Sequence, residues 1–300
     1  MRVFVSGATG FVGRHVMEEL KARGHTPVIL SRPGSARKLP FSDGVEIVYG
    51  DIAQPETFEP ALEEADAIIH LVAIIREFPD RGITFDKLNY QSVRNMVIGA
   101  QRAKVRRFIL MSANGASPDG VSEYQITKWR AEELVRHSGL DWTIFRPSVI
   151  FGDSKGMPEF TSQLADVIRK APVTPVFGKG DYLLDPVAVE DVAHCFVAAL
   201  GMEETIGKAF CLGGGGPVPM SRVVQIIGEA VGKPGVWTAG IPFWLMIPVA
   251  RYLGGIEQFP VTADQLLMLR QGNTCQSLDY METFKLKPKP FVPGNLGYLS

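Results

Sequence analysis

Apolar positions in the first half of the chain fall into short continuous blocks that alternate with stretches of helical spacing. Val3 to Ser6 has strand character, and Val12, Val16 and Leu20 then recur at helical intervals. Thr26 to Ser31 and Val45 to Tyr49 read as a second and a third strand, separated by a loop of Pro, Gly, Ser and Arg. A helix is expected from about Pro55 to Glu64, a strand from Ala67 to Leu71, and a long helix from about Thr84 to Ala103. In that helix Phe85, Leu88, Val93, Met96, Val97 and Ala100 define one apolar face. Strand Arg107 to Ser112, helix Ser122 to Ser138 and strand Asp141 to Arg146 complete the series. Strands that are apolar throughout and alternate with helices form a parallel sheet covered on both faces. The pattern predicts an α/β doubly wound parallel-sheet Rossmann domain with a smaller C-terminal substrate or partner lobe.

Beyond Pro147 the pattern loosens. Helices are expected over Pro158 to Lys170, Val189 to Leu200, Met220 to Val231 and Thr262 to Gln271, with strands at Val173 to Phe177 and Ala209 to Leu212. Residues 1–150 then make the nucleotide-binding domain, with 173–215 returning to it, and 151–172 and 216–300 make the smaller lobe. Gly213 to Gly216 reads as a flexible connection, because Pro217 and Pro219 lack the amide donors a phosphate cradle needs. Glu190 and Asp191 suit the first turn of their helix as dipole-favourable residues. Ile241 to Ala250 is an unbroken apolar run, too short to span a bilayer. With Pro242 and Pro248 as breaks, it is expected as a short pair of helices packed on the main domain or a dimer mate, a peripheral membrane or partner patch being the alternative.

Composition narrows the choice further. The chain has 300 residues and a formal net charge of −1, which gives no electrostatic footprint for nucleic acid or an anionic surface as a whole. Cys195, Cys211 and Cys275 are too few and scattered for a disulfide framework or a zinc site, and each is expected as a small buried side chain with no metal bound. The first motif begins close to Met1, so no leader is expected ahead of it and the cytoplasm is the expected location.

That motif is Gly7-Ala-Thr9-Gly10-Phe11-Val12-Gly13, between the first strand and the first helix. Gly7 permits a tight turn, Gly10 a close approach of backbone to pyrophosphate, and Gly13 a close approach of helix to sheet. The helix start then offers amide donors and a positive dipole end to phosphate. At the end of the second strand, where a carboxylate would bind an adenosine 2′-hydroxyl, the chain has Ser31 and Arg32, with Arg37 and Lys38 following. A guanidinium there grips a 2′-phosphate, so NADPH is expected over NADH. Leu71, Val72 and Ala73, at the end of the fourth strand, belong to the same expected crevice.

Tyr124 and Lys128 stand four apart near the start of a helix and share a face. A phenol ionises near a pKa of about 10 and needs a neighbouring positive charge to act as acid or base near neutrality. The plainer reading leaves Tyr124 half-buried and Lys128 solvated. His70, amid Ile68, Ile69 and Leu71, is expected as a hydrogen-bonded core residue. Asn89 either steadies a water or lysine chain or bonds its own helix. Arg76, Glu77 and Phe78 either floor a substrate pocket or form plain surface.

Together SGATGFVG, YQITK and RPSVIFG resemble the short-chain dehydrogenase/reductase superfamily, and the length is similar to its extended and atypical branches. The segments FILMSANGASPD, WTIFRPSVIFG and DPVAVEDVA look most like the subgroup that includes the dinucleotide-binding accessory subunit of respiratory complex I and its bacterial relatives. The resemblance implies that Tyr124 is the acid/base and that Lys128 holds the nicotinamide ribose. It also implies that Pro147, Ser148 and Val149 line the nicotinamide and that Asp51 and Ile52 lie by the adenine. Active members carry a hydroxyl near the end of the fifth strand, at the position of Asn114, with Ser112 nearby; an Asn amide can also donate to a carbonyl. Two functions follow. One is an NADP-dependent oxidoreductase, epimerase or dehydratase acting on a small carbonyl, alcohol or sugar-nucleotide, with a homodimer as a common state of such folds. The other is a non-catalytic NADPH-binding protein of an electron-transfer assembly.

Overall fold

The computed structural model describes residues 1–34, 44–157, 159–256 and 259–300, so Arg37 and Lys38 lie outside the described residues. In chain order the elements are β1 (Arg2–Ser6), α1 (Phe11–Ala22), β2 (Thr26–Ser31), β3 (Glu46–Tyr49), α2 (Glu59–Leu62), β4 (Ala67–His70), α3 (Ser92–Arg102), β5 (Arg107–Met111), α4 (Glu123–Arg136) and β6 (Asp141–Pro147). Next come β7 (Ile150–Phe151), α5 (Phe160–Lys170), β8 (Thr174–Phe177), β9 (Leu183–Leu184), β10 (Val187–Ala188), α6 (Val189–Ala198) and β11 (Lys208–Leu212). Last are β12 (Val218–Pro219), α7 (Met220–Ala230), β13 (Thr238–Ile241), α8 (Phe243–Leu253), α9 (Ala263–Gln271) and α10 (Asp279–Thr283).

One seven-stranded sheet runs in the order β11-β6-β5-β4-β1-β2-β3, and β1 to β6 pair in parallel. The doubly wound α/β expectation is met. Val3, Phe4 and Val5 are successive and all fully buried, as a strand covered on both faces must be. One core joins Phe4, Val28, Ile68, Phe108 and Ile144 of the strands to Phe58, Leu62, Val93, Met96, Ala131 and Val135. Strand order reverses between β1 and β4, which makes the crevice at their carboxyl ends the ligand position of this architecture.

The chain divides into two compact units. The first is Met1–Gly120, Tyr124–Arg146 and Val192–Phe210; the second is Val121–Glu123, Pro147–Asp191 and Cys211–Ser300. In the second, β7 pairs with β10, β8 with β13 and β9 with β12, around a core that includes Phe151, Ile168, Val224, Ile227 and Phe291.

Several local expectations change. The helix expected over Pro55 to Glu64 breaks into a 3-10 turn, Pro55–Thr57, and the short α2, because Pro60 follows too closely for a continuous hydrogen-bond ladder. The long helix opens with a π-helical segment, Asp86–Gln91, ahead of α3. Cys211 and Cys275 form a disulfide with Cα atoms 5.7 Å apart, and Cys195 is buried outside any disulfide. Tertiary folding joins the end of β11 to the segment after α9 across 64 residues, a proximity that spacing does not reveal. Gly213 to Gly216 is no loose connection. The Asp185 carboxylate accepts from the amides of Gly214 (2.8 Å) and Gly216 (3.2 Å), so an internal carboxylate takes donors that a phosphate would need. Ile241 to Ala250 is one strand end and one helix; Pro248 sits inside α8 rather than ending it. No helix among the described residues is long and apolar enough to cross a membrane.

Candidate functional site

The turn after β1 is built by its glycines. Gly7 has φ +83°, and a Cβ there would lie 2.9 Å from the Leu71 carbonyl carbon, so the loops leaving β1 and β4 touch at the reversal of strand order. At Gly13 a Cβ would collide with the Gly7 carbonyl oxygen and lie 2.6 Å from Ala8 Cα; α1 folds back onto its own turn there. Gly10 caps α1 with its amide donating to Gly7 O at 3.1 Å, with no side-chain cap and no carboxylate in the first turn. Thr9 and Phe11 are half-buried and Val12 is buried. A cradle that added Cβ atoms would fill, at a helix start free of negative charge, fits a pyrophosphate.

In the first unit, nucleotide candidates follow the ends of β2, β3 and β4. Ser31 is buried and donates to Arg32 O at 3.3 Å. Arg32 is exposed and has no side-chain partner among the described residues. The Asp51 carboxylate accepts from Ala53 N at 2.9 Å, and Ile52 is buried with its carbonyl held by Asn95 Nδ2. Leu71 N donates to Ser6 O, and Val72 and Ala73 follow half-buried. Pro147, Ser148 and Val149 open the long second segment of the second unit. There Ser148 N donates to Leu212 O, and its hydroxyl to Asn273 O, both at 2.9 Å.

Four candidate residues for chemistry lie in the first unit. Tyr124 is half-buried, its ring 5.9 Å edge-to-face from Phe85, and its hydroxyl has no partner among the described residues. Burial pushes that phenol up to about 12. Lys128 is buried, not solvated: it is 1% exposed, and its Nζ donates to Met111 O at 2.6 Å. Desolvation brings its ammonium down to about 8, against a smaller opposing pull from Glu132. Ser112 is buried with its hydroxyl unpartnered. Asn114 is half-buried, and its Oδ1 accepts from Gly115 N at 3.1 Å.

The surrounding side chains hold this arrangement. Asn89 bonds outside its own helix: its amide accepts from Ile74 N (2.8 Å) and donates to Ile74 O (3.2 Å), pinning the loop after β4. Glu77 accepts from Phe85 N at 2.6 Å, and the guanidinia of Arg76 and Arg81 both stand 5.3 Å from the Phe78 ring. Sequence reasoning missed Glu132. It is fully buried and receives Arg146 Nε at 2.8 Å and a terminal Arg146 nitrogen at 2.5 Å, with Arg136 at 3.2 Å. The signal was present, since Glu132 follows Lys128 by one further helical interval. No group of three or more His, Cys, Asp or Glu suited to a metal ion occurs among the described residues.

Comparison with known proteins bears on this geometry. The profile of a family described as NAD(P)H-binding matches residues 7–203. A hybrid PKS-NRPS synthetase of Talaromyces variabilis is 30% identical over 64% of this chain, but the match covers 5% of that protein. The ceramide reductase of Caulobacter vibrioides is 31% identical over 67% of this chain and 63% of its own length. The chain therefore spans less than two thirds of both. A mitochondrial NADH dehydrogenase [ubiquinone] 1 alpha subcomplex subunit 9 of Arabidopsis thaliana is 27% identical over 98% of this chain and 75% of its own. Among solved structures, UDP-glucose 4-epimerase of Thermotoga maritima superposes with a TM-score of 0.78 at 18% identity, covering 100% of this chain and 97% of that one, a likeness of fold alone.

Proposed function

The chain belongs to the NAD(P)H-binding family and has an epimerase/dehydratase-like short-chain dehydrogenase/reductase fold, and on that premise we propose that it is an NADPH-preferring oxidoreductase acting on a carbonyl or alcohol. The observation that carries this reading is Tyr124: an unpartnered phenol one helical turn from a buried, lowered-pKa lysine. When bound, the nicotinamide supplies or accepts the hydride. The glycine turn and the start of α1 hold the pyrophosphate, and Arg32 receives the 2′-phosphate. Tyr124 donates its proton to the substrate oxygen in reduction and withdraws it in oxidation. Lys128, kept short of solvent by its bond to Met111 O, favours the phenolate by its charge. Asn114 orients the substrate oxygen through its amide, and the unpartnered hydroxyl of Ser112 offers a second donor.

The test is a titration of the full chain with NADPH and NADH, followed by assay against a panel of carbonyl substrates. The proposal expects tighter NADPH binding, a loss of that preference of at least about tenfold in Arg32→Ala, and loss of turnover in Tyr124→Phe with nucleotide binding retained. Equal affinity for the two nucleotides refutes the NADPH assignment, and full turnover in Tyr124→Phe refutes the acid/base role.

A second reading, a non-catalytic NADPH-binding protein of an electron-transfer assembly, is favoured by Asn114 in place of a hydroxyl and by the high pKa of the Tyr124 phenol. NADPH that co-purifies, resists exchange and is never oxidised by the panel would select it.

A further inference from the structure

Helix α8 carries one charged residue, Arg251 in its last turn, and is otherwise almost wholly apolar. Phe243, Met246 and Ile247 are half-buried and Ala250 buried, with the Phe243 ring 6.3 Å from Phe177 and 6.0 Å from Tyr182. Yet Trp244, Leu245, Pro248, Val249 and Tyr252, spaced along the opposite face, are all exposed. Trp244 is 76% exposed, Tyr252 88%, and Trp237, just ahead of β13, 78%. An exposed face this apolar, with a single cation in its last turn, marks an interaction surface.

The charges near it say what that surface meets. Between Glu229 and Glu257 the only charged residues are Lys233 and Arg251. Lys233 is anchored, donating to Ile168 O and Arg169 O, whereas Arg251 is exposed with no partner among the described residues. A second copy docked symmetrically would place like charges around an apolar centre with no carboxylate within 230–256 to answer them, and Asp264 on the adjoining α9 is already engaged. A lipid surface meets the composition: indoles and a phenol suit the headgroup level, aliphatic side chains the acyl boundary, and Arg251 an anionic headgroup. With 11 residues, α8 is about 16 Å long, enough to lie in that boundary and not to cross it.

We propose that α8 is a membrane-interface helix that seats Trp244, Leu245, Val249 and Tyr252 in the headgroup region of an anionic phospholipid bilayer. The test uses the full chain and vesicles of phosphatidylcholine, with or without phosphatidylglycerol, separated by flotation. The chain floats with the mixed vesicles, less with phosphatidylcholine alone, and is released as salt rises. Lipids brominated on the acyl chain quench its tryptophan emission. Trp244→Ser with Tyr252→Ser lowers the bound fraction on the order of tenfold, and Arg251→Gln narrows the difference between the two vesicle types. Circular dichroism and thermal unfolding confirm that the variants are folded. Absence of flotation with either vesicle, or equal flotation of the double variant, overturns the proposal. So does shielding of Trp244 from acrylamide in a lipid-free self-complex or protein complex.

Discussion

Lys128 Nζ donates a 2.6 Å hydrogen bond to the carbonyl of Met111, the last residue of β5, and is 1% exposed. A single donor contact cannot offset the removal of an ammonium from water, which is why its pKa falls to about 8. The folded-state pKa lies below the unfolded value. Stability associated with Lys128 therefore rises as pH goes from about 8 to 10.5, and below 8 the fold carries a costly buried charge. Lys128→Met should raise the unfolding free energy at pH 7 by about 1–3 kcal/mol while abolishing turnover. Thermal or denaturant unfolding at pH 7 and above pH 10.5 checks it, the gain vanishing at the higher pH.

Gly13 admits no side chain. An alanine Cβ would meet backbone atoms, the Gly7 carbonyl and Ala8 Cα, and neither can rotate away. Gly13→Ala should cost about 1–3 kcal/mol and lower nucleotide affinity, because relief requires α1 to move off the turn that holds the phosphates. Gly24→Ala, whose Cβ would meet nothing within 4 Å but whose φ is +73°, is the control: backbone strain at a distance should cost stability without altering nucleotide affinity.

What the sequence made legible was local and periodic. The strand blocks, the glycine turn and the Tyr124–Lys128 interval each depend on neighbours within one or two helical turns, and hydrophobic spacing reads such neighbours directly. The residues it read poorly act over long separations. Asn89 reaches Ile74 across a loop, Glu132 reaches Arg146 on the next strand, and Asp185 reaches Gly214 and Gly216. Local spacing marks Glu132 only as a helical neighbour of Lys128 and does not distinguish Asn89 or Asp185 from solvated residues. The same holds for α8, where an unbroken apolar run reads as packed on the main domain or a dimer mate, yet Trp244, Leu245, Pro248, Val249 and Tyr252 are exposed.

The Cys211–Cys275 disulfide belongs with these long-range contacts. It closes a loop spanning 64 residues of the second unit. Reducing it, or introducing Cys211→Ser with Cys275→Ser, should lower stability by about 2–4 kcal/mol through the greater freedom of the unfolded chain. Non-reducing peptide mapping should recover the two segments linked. Denaturant unfolding of the wild type in a reducing buffer should then match that of the double variant.

His70 is fully buried beside the glycine turn, and its hydrogen bonds assign its form. Ser92 Oγ donates to Leu88 O at 2.6 Å and so accepts from His70 Nε2 at 3.3 Å. Nδ1 is then left to accept from Ser6 Oγ at 2.8 Å. The ring is neutral, and desolvation, with Lys128 nearby, brings its pKa to about 3. Because the unfolded chain takes up this proton near 6.5 and the fold refuses it, stability is complete above pH 6.5. It falls by ~1.4 kcal/mol per pH unit as pH drops toward 3. His70→Asn removes the titration and should flatten that part of the stability profile relative to wild type. Denaturant unfolding between pH 4 and pH 7 reads the difference, and parallel slopes for the two proteins would mean that the imidazole is protonated within the fold.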